Sequence, residues 1–145
     1  MSPTQLQTYL HEQIPLSRAM CVEVLESGAA GVVLTAPLAP NINHRATVFG
    51  GSAAALATLA AWSVLHIALA GQARLVIQEQ TMRFERPITG GFAARSHLED
   101  DDAWARFRRT LTRRGRARLT LPAVLEQDAM VVGQFTGEFV ALHGH

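Results

Sequence analysis

Between Asn41 and Trp62 the chain reads NINHRATVFGGSAAALATLAAW. Amide, hydroxyl and imidazole groups come first, on Asn41, Asn43, His44 and Thr47, with Arg45 among them. Gly50-Gly51 follows, and then a run rich in Ala and Leu. A polar loop, paired glycines and an apolar helix, in that order, build a helix N-terminus that another molecule can approach closely. Glycine has no Cβ to block the approach. The first turn of a helix leaves about four backbone N–H groups without intrahelical partners. Together with the helix dipole they favour negative charge, and a developing oxyanion is one such charge.

The surrounding side chains have ordinary alternatives. Asn41 and Asn43 suit turns, and Thr47 suits bracing a helix start. Ser52 invites a nucleophile reading, but no triad is visible, and first-turn hydrogen bonding accounts for it. Thr58 can bond its own helix backbone. His66 reads as a satisfied core or interface histidine. His143 and His145 lie near the chain end and make a weak metal site, so no metal is expected. Arg83, Arg86 and Arg95 follow or lie in strands, where solvated surface competes with phosphate binding.

The elements that must position this stretch follow from periodicity. Pro3 to Gln13 predicts an amphipathic helix that Pro15 ends. Met20 to Leu25 and Gly31 to Thr35 read as strands around the turn signal Ser27-Gly28. The helix from about Gly50 to Ala70 is apolar nearly all round, so other elements must surround it. Gly71 is placed to close it. Strand-like runs follow at Leu75 to Phe84, Phe92 to Leu98, Arg116 to Glu126 and Met130 to Leu142. Pro122 marks an edge or a bulge in the third. A short helix, about Asp102 to Arg114, sits between the second and third. Asp101 or Asp102 can cap it and Gly115 can end it. One apolar helix and six strands predict an α+β chain of the hotdog type, an antiparallel sheet wrapped around one long central helix.

The totals agree. One domain over residues 1–145 is expected, with 48% apolar and 17% charged residues. A net charge of +1 argues against general attraction to nucleic acid or membrane. All 13 basic residues are arginine, and seven of them lie between Arg106 and Arg118. Their plainest role is a solvated helix face, with a phosphate-bearing ligand as the alternative. Cys21 is the single cysteine, which excludes an internal disulfide and suggests a small apolar filler. With no secretory pattern at the N-terminus, a cytoplasmic setting is expected. Ala46 to Ala73 has no formally charged residue, yet it is rich in Ala, Gly, Ser and Thr and contains His66. It reads as a helix buried in protein, not in a membrane.

Asn41 to Ser52, with Leu56-Ala57-Thr58-Leu59-Ala60, resembles the thioesterase domain of the YiiD C-terminal type, within the hotdog superfamily. Weaker likeness runs through Phe84-Glu85-Arg86-Pro87 and Arg113 to Leu119. The resemblance implies a homodimer, or a dimer of dimers, with two sheets joined side by side. It implies acyl thioesters of coenzyme A or acyl carrier protein bound at the subunit boundary, and no cofactor. Better understood relatives of the phenylacetate-pathway type have an Asn, a His-Gly-Gly and then an Asp on the central helix. Asn43, Gly50 and Gly51 match; Phe49 replaces the His and Thr58 the Asp. On this basis Asn43, Gly51 and Thr58 are the candidate catalytic residues. Asn41, Thr47, Phe49, Gly50, Ser52 and Arg86 are the candidate substrate contacts. Neither Asn43 nor Thr58 titrates near neutral pH. A base must come from Glu79, Glu85, Glu138, His44 or a partner subunit, or be dispensed with. A non-catalytic acyl-CoA binding or sensing module is the alternative.

Overall fold

The computed structural model describes residues 1–28 and 30–143; His145 lies outside them. Helix α1 (Pro3–Gln13) opens on a full capping box between Ser2 and Gln5. Pro15 ends it as expected, but by starting a second short helix, α2 (Pro15–Ala19). Proline at a first helical position loses nothing, since its missing N–H has no partner there anyway. Cys21 then adopts φ +58° and is exposed, so it is not the apolar filler expected from its type. These two features delay the first strand, β1 (Glu23–Gly28), which pairs with β2 (Gly31–Ala36).

Next come a 3-10 turn over Ala39–Asn41, an irregular loop and the central helix α3 (Gly50–Leu69). Strands β3 (Arg74–Phe84) and β4 (Phe92–Ser96), helix α4 (Asp101–Arg114), and strands β5 (Arg116–Gln127) and β6 (Met130–Leu142) complete the chain. The six strands form one antiparallel sheet in the order β1-β2-β4-β5-β6-β3. The sheet wraps α3, which is the hotdog arrangement.

Periodicity explains the wrap. Ala117, Leu119, Leu121, Ala123 and Leu125 alternate into the core from β5. Phe135 and Phe139 do the same from β6, at 1% and 0% exposure. Each large side chain of this kind stabilises the fold by about 1.5–3 kcal/mol. Helix α3 is long and apolar enough to cross a membrane. Here it is instead enclosed by the sheet, with ten residues buried, among them Leu56, Ala57, Ala60 and Leu65.

Three local expectations need adjustment. Ala70, not Gly71, is the left-handed cap of α3, at φ +50°; Gly71 follows in the same region. Asp100, not Asp101 or Asp102, caps α4 by accepting from the Ala103 N–H at 3.0 Å. Gly115 ends α4 at φ +71°, as its position suggested. Pro122 carries no bulge. It lies on the part of β5 beyond the short β4 ladder, which covers only Val124 to Glu126. The missing N–H therefore interrupts no bond between those two strands.

Candidate active site at the start of the central helix

The loop before α3 is held by its own polar groups. The Asn43 Oδ1 accepts from the N–H of Arg45 at 2.8 Å and of Thr47 at 3.2 Å. Its Nδ2 donates to the Thr47 Oγ1 at 2.9 Å and, at 3.4 Å, to the Val48 carbonyl. Backbone bonds between Asn43 and Thr47 close the turn, with Ala46 at φ +63°. Asn43 therefore has its whole hydrogen-bonding capacity committed to the loop. Thr47 braces the same turn, the plainer of its two expected roles.

Asn41 departs from its expected place among the substrate contacts. It is 2% exposed, and its Nδ2 donates to the carbonyls of Met20 and Pro37 at 3.0 and 2.8 Å. Its backbone carbonyl accepts from the Phe49 N–H at 2.7 Å. The Val48 N–H donates to the Ile88 carbonyl at 2.8 Å. Asn41 is thus a buried clamp between the chain before the loop and the start of α3.

These anchors aim the first turn of α3 outward. Phe49 is the N-cap, with extended backbone and no side-chain bond to the turn. Its carbonyl accepts from the Ala53 N–H at 3.1 Å. The N–H groups of Gly50, Gly51 and Ser52 have no acceptor among the described residues, as expected for the open end of a helix. Gly51 is exposed, and Gly50 and Ser52 are half-buried. The Ser52 hydroxyl makes no side-chain bond to the first turn, contrary to expectation; the cap position before it is simply unused.

Two phenyl rings flank the glycines. The Phe49 ring lies over Gly51, where an added Cβ would collide with it. The Phe84 ring lies against Gly50, its Cζ 3.3 Å from where a Cβ would stand. Both rings are largely exposed, at 58% and 55%. A cleft of about 370 Å³ reaches Gly50 between Val48, Ala53, Phe84, Glu85, Arg86 and Ile88. The glycines are therefore accessible, and Arg86 stands at the rim of the approach.

Thr58 faces β3. Its hydroxyl donates to the Ala54 carbonyl at 2.8 Å, with the Gln80 Oε1 at 3.5 Å. The helix backbone thus takes its proton, the plainer expectation for this residue. Gln80 and Phe84 were not among the sequence candidates. A β-bulge between Ile77 and Glu79 shifts the alternation of β3 by one residue. Beyond it Gln80, Met82 and Phe84 turn toward α3, opposite Gly137, Phe135 and Gly133. Glu79 and Glu138 pair on the other face of the sheet, where Arg118 approaches Glu138 at 3.4 Å. That removes both as bases for this protomer's helix mouth. His44 is exposed in the loop. Glu85 alone of the four base candidates lines the cleft, held at 2.6 Å by the Gln134 amide. No cluster of potential metal ligands occurs among the described residues.

Farther along α3, Tyr9, Trp62 and His66 stack, with ring centroids of Tyr9 and Trp62 at 4.6 and 4.7 Å from His66. Burial lowers the His66 pKa below its ordinary 6.5.

Comparison with known proteins now decides the family. The model of the family described as "Putative thioesterase", YiiD C-terminal, matches residues 3–143. The chain belongs to the YiiD C-terminal thioesterase family. Among solved structures, a Chlorobaculum tepidum protein of unknown function is similar at TM-score 0.89 and 27% identity, covering 98% of this chain and 94% of its own. A "putative thioesterase" from Shewanella oneidensis is similar at TM-score 0.83 and 26% identity, with 97% and 96% covered. A Pseudomonas aeruginosa protein described as a "probable thioesterase" shares the fold at TM-score 0.81 and 22% identity, with 98% and 97% covered.

Proposed function

We propose that the protein hydrolyses acyl thioesters of coenzyme A or of an acyl carrier protein, in the cytoplasm and as a homodimer. The carrying observation is the uncapped, accessible first turn of α3, in a chain of a thioesterase family. A thioester carbonyl settles with its oxygen toward the Gly51 N–H. Water attacks the carbonyl carbon, a C–O bond forms, and negative charge gathers on the oxygen against the helix start. The C–S bond then breaks, and the thiolate leaves and takes up a proton. Donors in such positions contribute about 3–4 kcal/mol each to transition-state stabilisation. Glu85 is the base we assign within the protomer, because it lines the cleft. Gln80 lies deeper along the helix, beside Thr58. Asn41 and Asn43 hold the loop rather than the substrate.

Dimerisation through β3 is part of the same proposal. β3 is an edge strand of 11 residues. Val76 and Phe84 on it, with Ile42 and Phe49 on the neighbouring loop, are large apolar side chains left exposed. A long edge with exposed apolar groups invites pairing with a second copy.

One observation favours the non-catalytic alternative, an acyl-CoA sensing module. Two of the candidate catalytic side chains, Asn43 and Thr58, are engaged with backbone. The test is a panel of acyl-CoA substrates with a thiol reagent reporting free CoA. Turnover that falls about 100-fold or more in Glu85→Gln supports hydrolysis with Glu85 as base. Tight acyl-CoA binding without turnover would establish the sensor instead.

A further inference from the structure

Helix α4 carries Arg106, Arg108, Arg109, Arg113 and Arg114 against two aspartates at its start, in a chain of net charge only +1. After Asp102 no acidic residue occurs until Glu126. The five arginines are exposed, and none has a carboxylate within ion-pair distance among the described residues. Phe107 and Leu111 turn inward. At about 100° per residue, Arg106, Arg109 and Arg113 then fall opposite that buried stripe, in one ridge. Beside the ridge, Arg108, Arg109, Thr112 and Arg113 border a hollow of about 260 Å³. Like charges three and four residues apart repel on a helix. An anionic partner would relieve that repulsion.

We propose that this ridge docks an acidic carrier protein, which delivers the acyl group to the helix mouth. The proposal rests on the thioesterase reading above and selects between its two substrate classes. Charge complementarity carries it. The outward face of α4 has no exposed large apolar side chain to enter a membrane. It presents no aromatic ring for base stacking, since Phe107 is buried and Trp104 is half-buried beneath Arg108.

The placement of the ridge fits a dimer. Within one protomer the C-terminal end of α4 and the mouth lie at opposite ends of the sheet. β6 runs from Gly133, opposite Phe84, to Leu142, opposite Arg116. At about 3.3 Å per residue those ends are about 30 Å apart. A two-fold axis that keeps both central helices on one face of a joined sheet must run the two β3 strands antiparallel. The α4 end of one subunit then lies at the Phe84 end of the other. A carrier bound to one subunit's ridge is then at the same end of the joined sheet as its neighbour's helix mouth.

The experiment compares hexanoyl-CoA with hexanoyl on an acidic bacterial acyl carrier protein. Wild type, R106E/R109E/R113E and R106K/R109K/R113K are assayed. Charge reversal is expected to lower kcat/KM on the carrier thioester about 10- to 100-fold, mostly through KM. Hexanoyl-CoA hydrolysis stays within about twofold, since the anionic groups of coenzyme A are confined to its phosphates and do not span the three-arginine ridge. The Lys variant keeps its carrier activity, and added salt weakens the wild-type rate on carrier alone. Equal losses on both substrates, or no loss on the carrier, overturn the proposal. If neither thioester is hydrolysed, the thioesterase reading has failed, and docking is read from a titration of labelled holo-carrier. Binding that the Glu variant abolishes upholds docking. Absence of carrier binding, or capture of anionic vesicles or single-stranded RNA in its place, overturns it. Single R109E, with a smaller loss in the same direction, serves if the triple variant does not fold.

Discussion

Helices α3 and α4 begin in opposite ways. Asp100 accepts from the first turn of α4, two further aspartates stand in that turn, and Gly115 closes the other end. Helix α3 is longer and more deeply buried, yet Phe49 offers its first turn nothing. A carboxylate or hydroxyl at that position would stabilise the helix by about 1 kcal/mol. Its absence leaves three donors free where a ligand can reach them. The capped helix spends its backbone polarity on its own stability, whereas the uncapped one keeps it for another molecule.

The sharpest way to break this contrast is to give α3 the cap that α4 has. In Phe49→Asp the new carboxylate accepts from the first-turn N–H groups and occupies the place of the oxyanion. Thioester hydrolysis is expected to fall at least about 100-fold, while thermal stability holds or rises. Activity at the wild-type level in this variant would mean that the helix start is not the oxyanion site. Gly51→Val follows, with an expected loss of roughly 100-fold. The exposed Phe49 ring can swing aside, so the fold survives, but the branched side chain then fills the approach. A large fall in unfolding temperature, rather than in kcat, would count against that account.

The converse change is smaller. Asp100→Ala removes the cap of α4 and should cost about 1 kcal/mol in denaturant unfolding, with hydrolysis unchanged. The smallest expected effect lies within α3, away from its mouth. Burial lowers the His66 pKa, so the folded protein favours the neutral ring. Below about 6.5 the unfolded chain takes up the proton first. Stability is therefore complete above that pH, declines as pH falls through it, and levels off once the folded-state pKa is passed. His66→Phe should flatten this decline in unfolding curves taken between neutral and mildly acidic pH. An unchanged slope would show that His66 does not set it.

Much of the fold was legible before any coordinates. The apolar length of α3 required a surrounding sheet, and the alternation in β5 marked its inner face residue by residue. The glycines at the mouth were legible too, because few other demands place Gly-Gly at the start of an apolar helix. Side-chain roles were less so. Asn41 and Asn43 are two residues apart with the same chemistry. One is a buried clamp and the other a turn hub, a difference set by the carbonyls of Met20 and Pro37 that fold around the first. Cys21 looked like core and is exposed, because a left-handed backbone at that position turns it out.

By itself, then, the order of residues determined that a long apolar helix would be enclosed, where it would start, and that its start would be open. Those properties depend on local periodicity and on glycine's missing side chain. Which groups gather at that opening was decided only in three dimensions. The bulge at Gln78 reverses the facing of everything after it in β3, bringing Gln80 and Phe84 to the helix and turning Glu79 away. A period of two carries no record of an extra residue until the neighbouring strand fixes the register.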